Sequence, residues 1–143
     1  LYVVNRGDGA DQIQDRGVSE TDRVLIGGYT PAETLLSSNG VDLVIRFVGT
    51  LDSITITGAF AVSTSDRIEE LAFADGTLWN ALQIRNEVIA QAETAGADSV
   101  GGFLFDDTLA GGFGDDTLIG RDGSDTYIYR RGDGVDLIHD QGN

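Results

Sequence analysis

The chain has 143 residues, with 24 Asp and Glu against 9 Lys and Arg, a formal net charge of -15 and 41% hydrophobic residues. So acidic a surface repels nucleic acid and anionic membrane and favours cations, while the apolar content suffices for a buried core and argues against disorder. The absence of Cys removes disulfides and thiol chemistry, and no apolar run approaches the ~18–20 residues of a membrane-spanning helix.

Leu1-Tyr2-Val3-Val4 begins in mid-pattern, with neither a Met nor a signal peptide, so the chain reads as part of something longer. Residues 1–28 form a first short block. In it Asp11 and Asp22 each stand two places before an apolar residue, Ile13 and Val24, and they are expected to stack as an imperfect pair that binds the same cation as the later Asp residues. Residues 29–80 change to a hairpin pattern and predict an antiparallel β region. "ETLLSSNGVDLVIRFVG" reads as two strands across an Asn39-Gly40 turn, "DSITITGAF" alternates Ile54 and Ile56 with polar residues, and "RIEELAFADGTLW" gives strands on either side of Asp75-Gly76. Residues 81–92 form the one convincing helix. Asn80 caps it, and Leu82, Ile84, Val88 and Ile89 make a loose apolar stripe.

From residue 93 a nine-residue beat sets in. Asp98, Asp107, Asp116 and Asp125 stand nine apart, and Val100, Leu109, Leu118 and Tyr127 follow each by two. The block "GGFGDDTLI" (111–119) fits G-G-x-G-x-D-x-U-x in full, where U is a large apolar residue. In the earlier blocks Glu93-Thr94 and Phe105 replace glycines; after Tyr129-Arg130, an insertion, "RGDGVDLIH" (131–139) resumes the pattern with Gly132, Gly134, Asp136 and Ile138. Neither a helix nor a plain strand has this period. It suits a glycine-rich turn followed by a short strand, with two such units needed to return to the same edge.

Turns stacked at a strand spacing of ~4.8 Å put Asp98 beside Asp116, Asp107 beside Asp125, and Asp116 beside Asp136. Neighbouring carboxylates at that separation repel by about 1 kcal/mol in water and by more at lower dielectric, so such a ladder calls for cations. Carboxylates together with backbone carbonyls of Gly112, Gly114, Gly123, Gly132 and Gly134 are the oxygen ligands that Ca2+ takes. Zinc is disfavoured, with His139 the only His and no Cys. No EF-hand loop is present.

The nonapeptides, together with "YVVNRGDGADQIQD", "NGVDLVIRF" and "IEELAFADGTLW", resemble the RTX (repeats-in-toxin), or haemolysin-type calcium-binding, family and the region that accompanies its repeats. The resemblance implies an all-β fold: a right-handed parallel β-roll over 93–143 joined to the antiparallel region. It also implies a bacterial protein that leaves the cell by type I secretion machinery and folds on calcium outside, extracellular or at the cell surface. A longer periodicity adds to this. Residues 2–17 realign with 127–142 at an offset of 125, with Tyr, Arg, Gly, Asp, Gly, Asp, Ile, Asp and Gly recurring in place, so the partners expected are calcium ions and other repeats of the parent chain.

The function expected is a non-catalytic calcium-binding module that folds and rigidifies a larger exported protein. Two other readings stand beside it: a calcium-rigidified adhesin or polysaccharide-binding module with a glycan target, and the non-catalytic C-terminal part of a secreted hydrolase or epimerase. Nothing in these residues reads as an enzyme, since no G-x-S-x-G elbow accompanies His139. The tripeptide Arg-Gly-Asp occurs at 6–8 and 131–133, but each time inside R-G-D-G-x-D, where the glycines serve turns. Trp79 reads as core rather than as a sugar platform.

Overall fold

The computed structural model describes residues 1–15, 21–61 and 68–142. They divide into two compact units, Leu1–Ile84 and Arg85–Asn143. The described residues are mostly strand, with one α-helix.

In the first unit the strands are β1 (Tyr2–Asn5), β2 (Ala10–Ile13), β3 (Arg23–Gly27), β4 (Thr34–Ser38), β5 (Leu43–Phe47), β6 (Ser53–Ile56), β7 (Glu70–Phe73) and β8 (Leu78–Asn80). They form two four-stranded sheets, ordered β1-β3-β7-β8 and β2-β6-β5-β4. Alternation explains the faces: Leu43, Ile45 and Phe47 of β5, and Ile54 and Ile56 of β6, are buried while their neighbours are not. Tyr29 stacks on Phe47 with ring centroids 3.9 Å apart, and Phe73 meets Trp79 edge-on at 4.8 Å. Trp79 is buried, as a core residue should be.

The hairpins β4–β5, β5–β6 and β7–β8 pair antiparallel, but β6 also pairs in parallel with β2, and β7 with β3. The expected antiparallel region is therefore built into mixed sheets. The physical reason is that β6 and β7 each have a second edge, and the short strands of the first block satisfy it. Both turn glycines take positive φ, Gly40 at +96° and Gly76 at +90°.

The helix α1 runs Ala81–Ala92, and Asn80 Oδ1 accepts the Gln83 N–H at 2.9 Å, the expected cap bond. Ile84, Val88 and Ile89 are buried, but Leu82, in the first turn of the helix, is exposed.

The second unit holds β9 (Ser99–Gly101), β10 (Thr108–Ala110), β11 (Thr117–Arg121), β12 (Thr126–Ile128) and β13 (Leu137–Asp140). All its pairs are parallel and form two small sheets, β13-β11-β9 and β10-β12. Consecutive strands therefore alternate between sheets, and partners lie eighteen residues apart: Ser99 faces Thr117, and Thr108 faces Thr126. Between β11 and β13 the offset becomes twenty, Thr117 facing Leu137, which absorbs the two-residue insertion. Val100, Leu109 and Leu118 are fully buried, whereas Tyr127 is half-buried and Ile138 exposed.

Candidate metal centre

The turns before β11, β12 and β13 share one backbone shape. Their second and fourth residues take positive φ: Gly112 and Gly114 (+83°, +138°), Arg121 and Gly123 (+71°, +125°), Gly132 and Gly134 (+100°, +118°). Arg121 is the only non-glycine with positive φ among the described residues and holds a conformation costing ~1–2 kcal/mol for an L side chain. Gly96 and Phe105, at the fourth position of the two earlier turns, do not take positive φ, so Phe105 needs no glycine there; its ring carries the Arg85 guanidinium at 4.3 Å.

Stacking of the turns is tight. A Cβ on Gly114 would fall 2.5 Å from the Gly96 carbonyl oxygen, and one on Gly123 would fall 2.5 Å from that of Phe105. Glycine is required at these positions on both counts, φ and space. Successive turns thereby bring backbone carbonyls against the next turn of the stack.

The Asp residues close each level. The Asp98 N–H donates to Asp116 Oδ1 at 2.8 Å, the Asp107 N–H to Asp125 Oδ1 at 2.9 Å, and the Asp116 N–H to Asp136 Oδ1 at 3.1 Å. The three pairs expected from the nine-residue beat are therefore brought together. Asp98 also accepts from its own turn, through the Thr94 N–H at 2.6 Å, and Asp107 from the Phe103 N–H at 2.5 Å.

Asp116 is 1% exposed, yet its Oδ2 is buried without a hydrogen-bond partner, as is Oδ2 of Asp125. A buried carboxylate oxygen left unsatisfied carries its full desolvation penalty. Burial pushes the Asp107 carboxyl above its ordinary pKa, with the charge of nearby Asp125 adding to the rise and the Phe103 N–H opposing it. Negative charge is thus concentrated where solvent is thin. A cation would relieve it. Among the described residues no three carboxylate or imidazole side chains gather into one cluster, so a cation here would draw on carbonyls as well. Paired carboxylates with carbonyls suit a hard ion of flexible coordination, as calcium is.

Asp11 and Asp22 are not brought together. Asp11 lies on β2 opposite Ile54, and Asp22 precedes β3 in the other sheet. Asp22 meets Asp15 instead: the hydrogen bond between the two carboxyls raises the Asp22 pKa, and desolvation and the Asp15 charge add to the rise. Asp11 and Asp22 stand eleven apart, off the nine-residue beat, and their strands β2 and β3 belong to different sheets.

Sequence reasoning missed the glycines that seat the carboxylates. Gly111 packs on Asp116, a Cβ there falling 2.6 Å from both Cβ and Cγ of the Asp, and Gly120 packs on Asp125 and the Tyr127 hydroxyl. Both stand first in G-G-x-G-x-D and G-R-D-G-S-D, so the motif held the signal. It also missed Asp106 and Asp115, whose Oδ1 atoms accept the N–H groups of Ser124 and Val135 one level on, at 2.8 and 2.9 Å.

In the first unit the Arg6-Gly7-Asp8 turn is tied down. Arg6 donates to the Gly28 carbonyl at 2.8 Å and to Glu33 at 2.9 Å, and lies 4.2 Å from the Tyr29 ring centroid. Gly7 and Gly9 donate to Asp52 at 2.6 and 3.2 Å.

One comparison with known proteins now bears on the cation. Residues 42–83 match the family model of the haemolysin-type calcium binding protein related domain. This match supports a calcium-binding module, and it falls on β5 to β8 and the start of α1 rather than on the glycine-rich turns. No curated protein and no solved structure matches the chain. Among the described residues no helix is long and apolar enough to cross a membrane.

Proposed function

We propose that the chain is a calcium-dependent folding module of a larger exported protein. In this reading the second unit is a parallel β-roll whose sites pair Asp98 with Asp116, Asp107 with Asp125, and Asp116 with Asp136. Carbonyls of Gly112, Gly114, Gly123, Gly132 and Gly134 complete the shells. The observation that carries it is the buried, unpartnered Oδ2 of Asp116 and of Asp125, each on a carboxylate whose other oxygen already holds the level below.

Extracellular-grade calcium sites have dissociation constants of ~10⁻⁴–10⁻³ M, far above the calcium level inside a cell. There the acidic chain stays open through self-repulsion; outside, ions bind the folded form and their binding free energy becomes folding free energy. Calcium at a hundred times its dissociation constant adds about 2.7 kcal/mol per independent site. Passage through a type I secretion system, a tandem array in the parent and an extracellular location rest on the resemblance of the nonapeptides to RTX repeats.

The test is a far-UV circular dichroism titration with calcium, set against EGTA and magnesium. The expected outcome is a cooperative gain of β signal and a higher melting temperature with calcium alone. Equal compactness and heat resistance in EGTA would overturn the proposal.

A further inference from the structure

The sequence carries one strand–turn–strand element twice, at 2–15 and at 127–140, and the two copies fold alike. In the first, the Asp8 N–H donates to the Asn5 carbonyl at 3.2 Å and the Asn5 N–H to Asp8 Oδ2 at 2.7 Å. In the second, the Asp133 N–H donates to the Arg130 carbonyl at 3.2 Å and the Arg130 N–H to Asp133 Oδ2 at 2.5 Å. Glycines with positive φ flank both Asp residues.

What differs is which side is covered. The first copy lies under β3 and β6: β1 pairs in parallel with β3, and β2 with β6. The second copy lies on β10 and β11: β12 pairs in parallel with β10, and β13 with β11. Among the described residues, all four of β1, β2, β12 and β13 are sheet edges with one side unpaired.

Side-chain burial follows the same division. Val4 is 5% exposed and its counterpart Tyr129 62%; Ile13 is 6% exposed and its counterpart Ile138 48%. Asp15 is buried and its counterpart Asp140 exposed. The reverse holds at the turn, where Asp133 is buried, its carbonyl accepting the Gly114 N–H at 2.6 Å, while Asp8 is exposed. An open groove beside β1 and β2 is lined by Tyr2, Val4, Asp8, Asp11 and Ile13. Each copy is finished where the other is open.

We infer that residues 127–142 form a docking surface for a second copy of this unit, and that the element is shared by consecutive units rather than duplicated. The occupant is the β3 and β6 edge of the next copy. In that register Tyr127, Ile128 and Tyr129 pair with the counterparts of Val24, Leu25 and Ile26, and Asp136, Leu137 and Ile138 with those of Ile54, Thr55 and Ile56. Two continuous sheets result, β10-β12-β3-β7-β8 and β9-β11-β13-β6-β5-β4, with β3 to β8 supplied by the next copy. Closure of these edges also removes exposed apolar strand that invites unwanted pairing. The inference concerns backbone edges and does not rest on the calcium reading.

The test compares the full chain with the same chain continued after Gly142 by a second copy of residues 18–143, by hydrogen–deuterium exchange in one buffer with calcium in excess. The expected result is at least about tenfold slower exchange at 128–130 and 137–140 in the continued chain. In a control, a complete second copy follows a flexible glycine-serine spacer and no protection appears, because that copy brings its own 1–15. Ile138→Asp should abolish the protection in the continued chain and leave exchange at 99–119 unchanged in the single chain. Identical exchange at 128–130 and 137–140 in single and continued chains, with the second copy's own strands protected, would overturn the inference.

Discussion

The amide of Asp98 donates to one carboxylate oxygen of Asp116 at 2.8 Å, and the other oxygen of that carboxylate is buried without a partner. The first contact is structural; in the proposed reading the second oxygen takes a cation, so that one side chain would join the stacking of two turns to the chemistry between them. The Asp116 N–H in turn donates to Asp136 at 3.1 Å, which sets Asp116 at the middle of three levels.

Asp116→Ala is therefore expected to weaken calcium binding by tenfold or more, about 1.4 kcal/mol. Asp8→Ala, at an exposed position in the first unit, is expected to leave it within a factor of two or so. Isothermal titration calorimetry on both variants decides; equal losses contradict the assignment of Asp116.

Gly111→Ala is expected to destabilise the second unit by at least about 1–3 kcal/mol, since the new methyl would lie 2.6 Å from Cβ and Cγ of a buried Asp116. Gly101→Ala has open space around it and no positive φ, so its effect should stay within about 0.5 kcal/mol. Urea denaturation in calcium measures the pair.

Asp107 has a raised pKa, mainly through burial. A carboxyl whose folded-state pKa is raised holds its proton more tightly folded than unfolded. Its contribution is fully present below the ordinary Asp pKa and is lost as pH rises through the raised value. In EGTA, Asp107→Asn should therefore be more stable than the natural chain at pH 7, and the gap should close as pH falls. With calcium in excess the order should reverse at pH 7. Thermal melts across pH test this, and a gap independent of pH would contradict it.

Asp52 behaves in the opposite sense. The Tyr29 hydroxyl, then the Gly7 N–H, and then the Gly9 N–H hold its pKa below the ordinary value. The stability it gives is present above the ordinary Asp pKa and lost as pH falls through the lowered one. Asp52→Asn should lower the first unit's melting temperature at neutral pH, by the same amount with calcium or EGTA, and the loss should shrink in acid. A calcium-dependent loss would count against it.

By itself the sequence determined the local repeats. The nine-residue beat is a local property, because each turn needs its glycines and each strand its inward apolar residue, and these needs are met within nine positions. The pairing of Asp98 and Asp107 with residues eighteen further on follows from that period, and that of Asp116 with Asp136 from the period plus the two-residue insertion at Tyr129-Arg130. The hairpins at Asn39-Gly40 and Asp75-Gly76 were legible for the same reason.

Tertiary structure alone decided the partners of strands without a period. Nothing in residues 1–28 says that β2 pairs with β6 and β1 with β3; two distant sheet edges needed hydrogen bonds, and these strands supplied them. That choice parted Asp11 from Asp22. Burial of one carboxylate oxygen and not another likewise depends on which glycine packs above it, and sequence spacing records the glycine but not the contact.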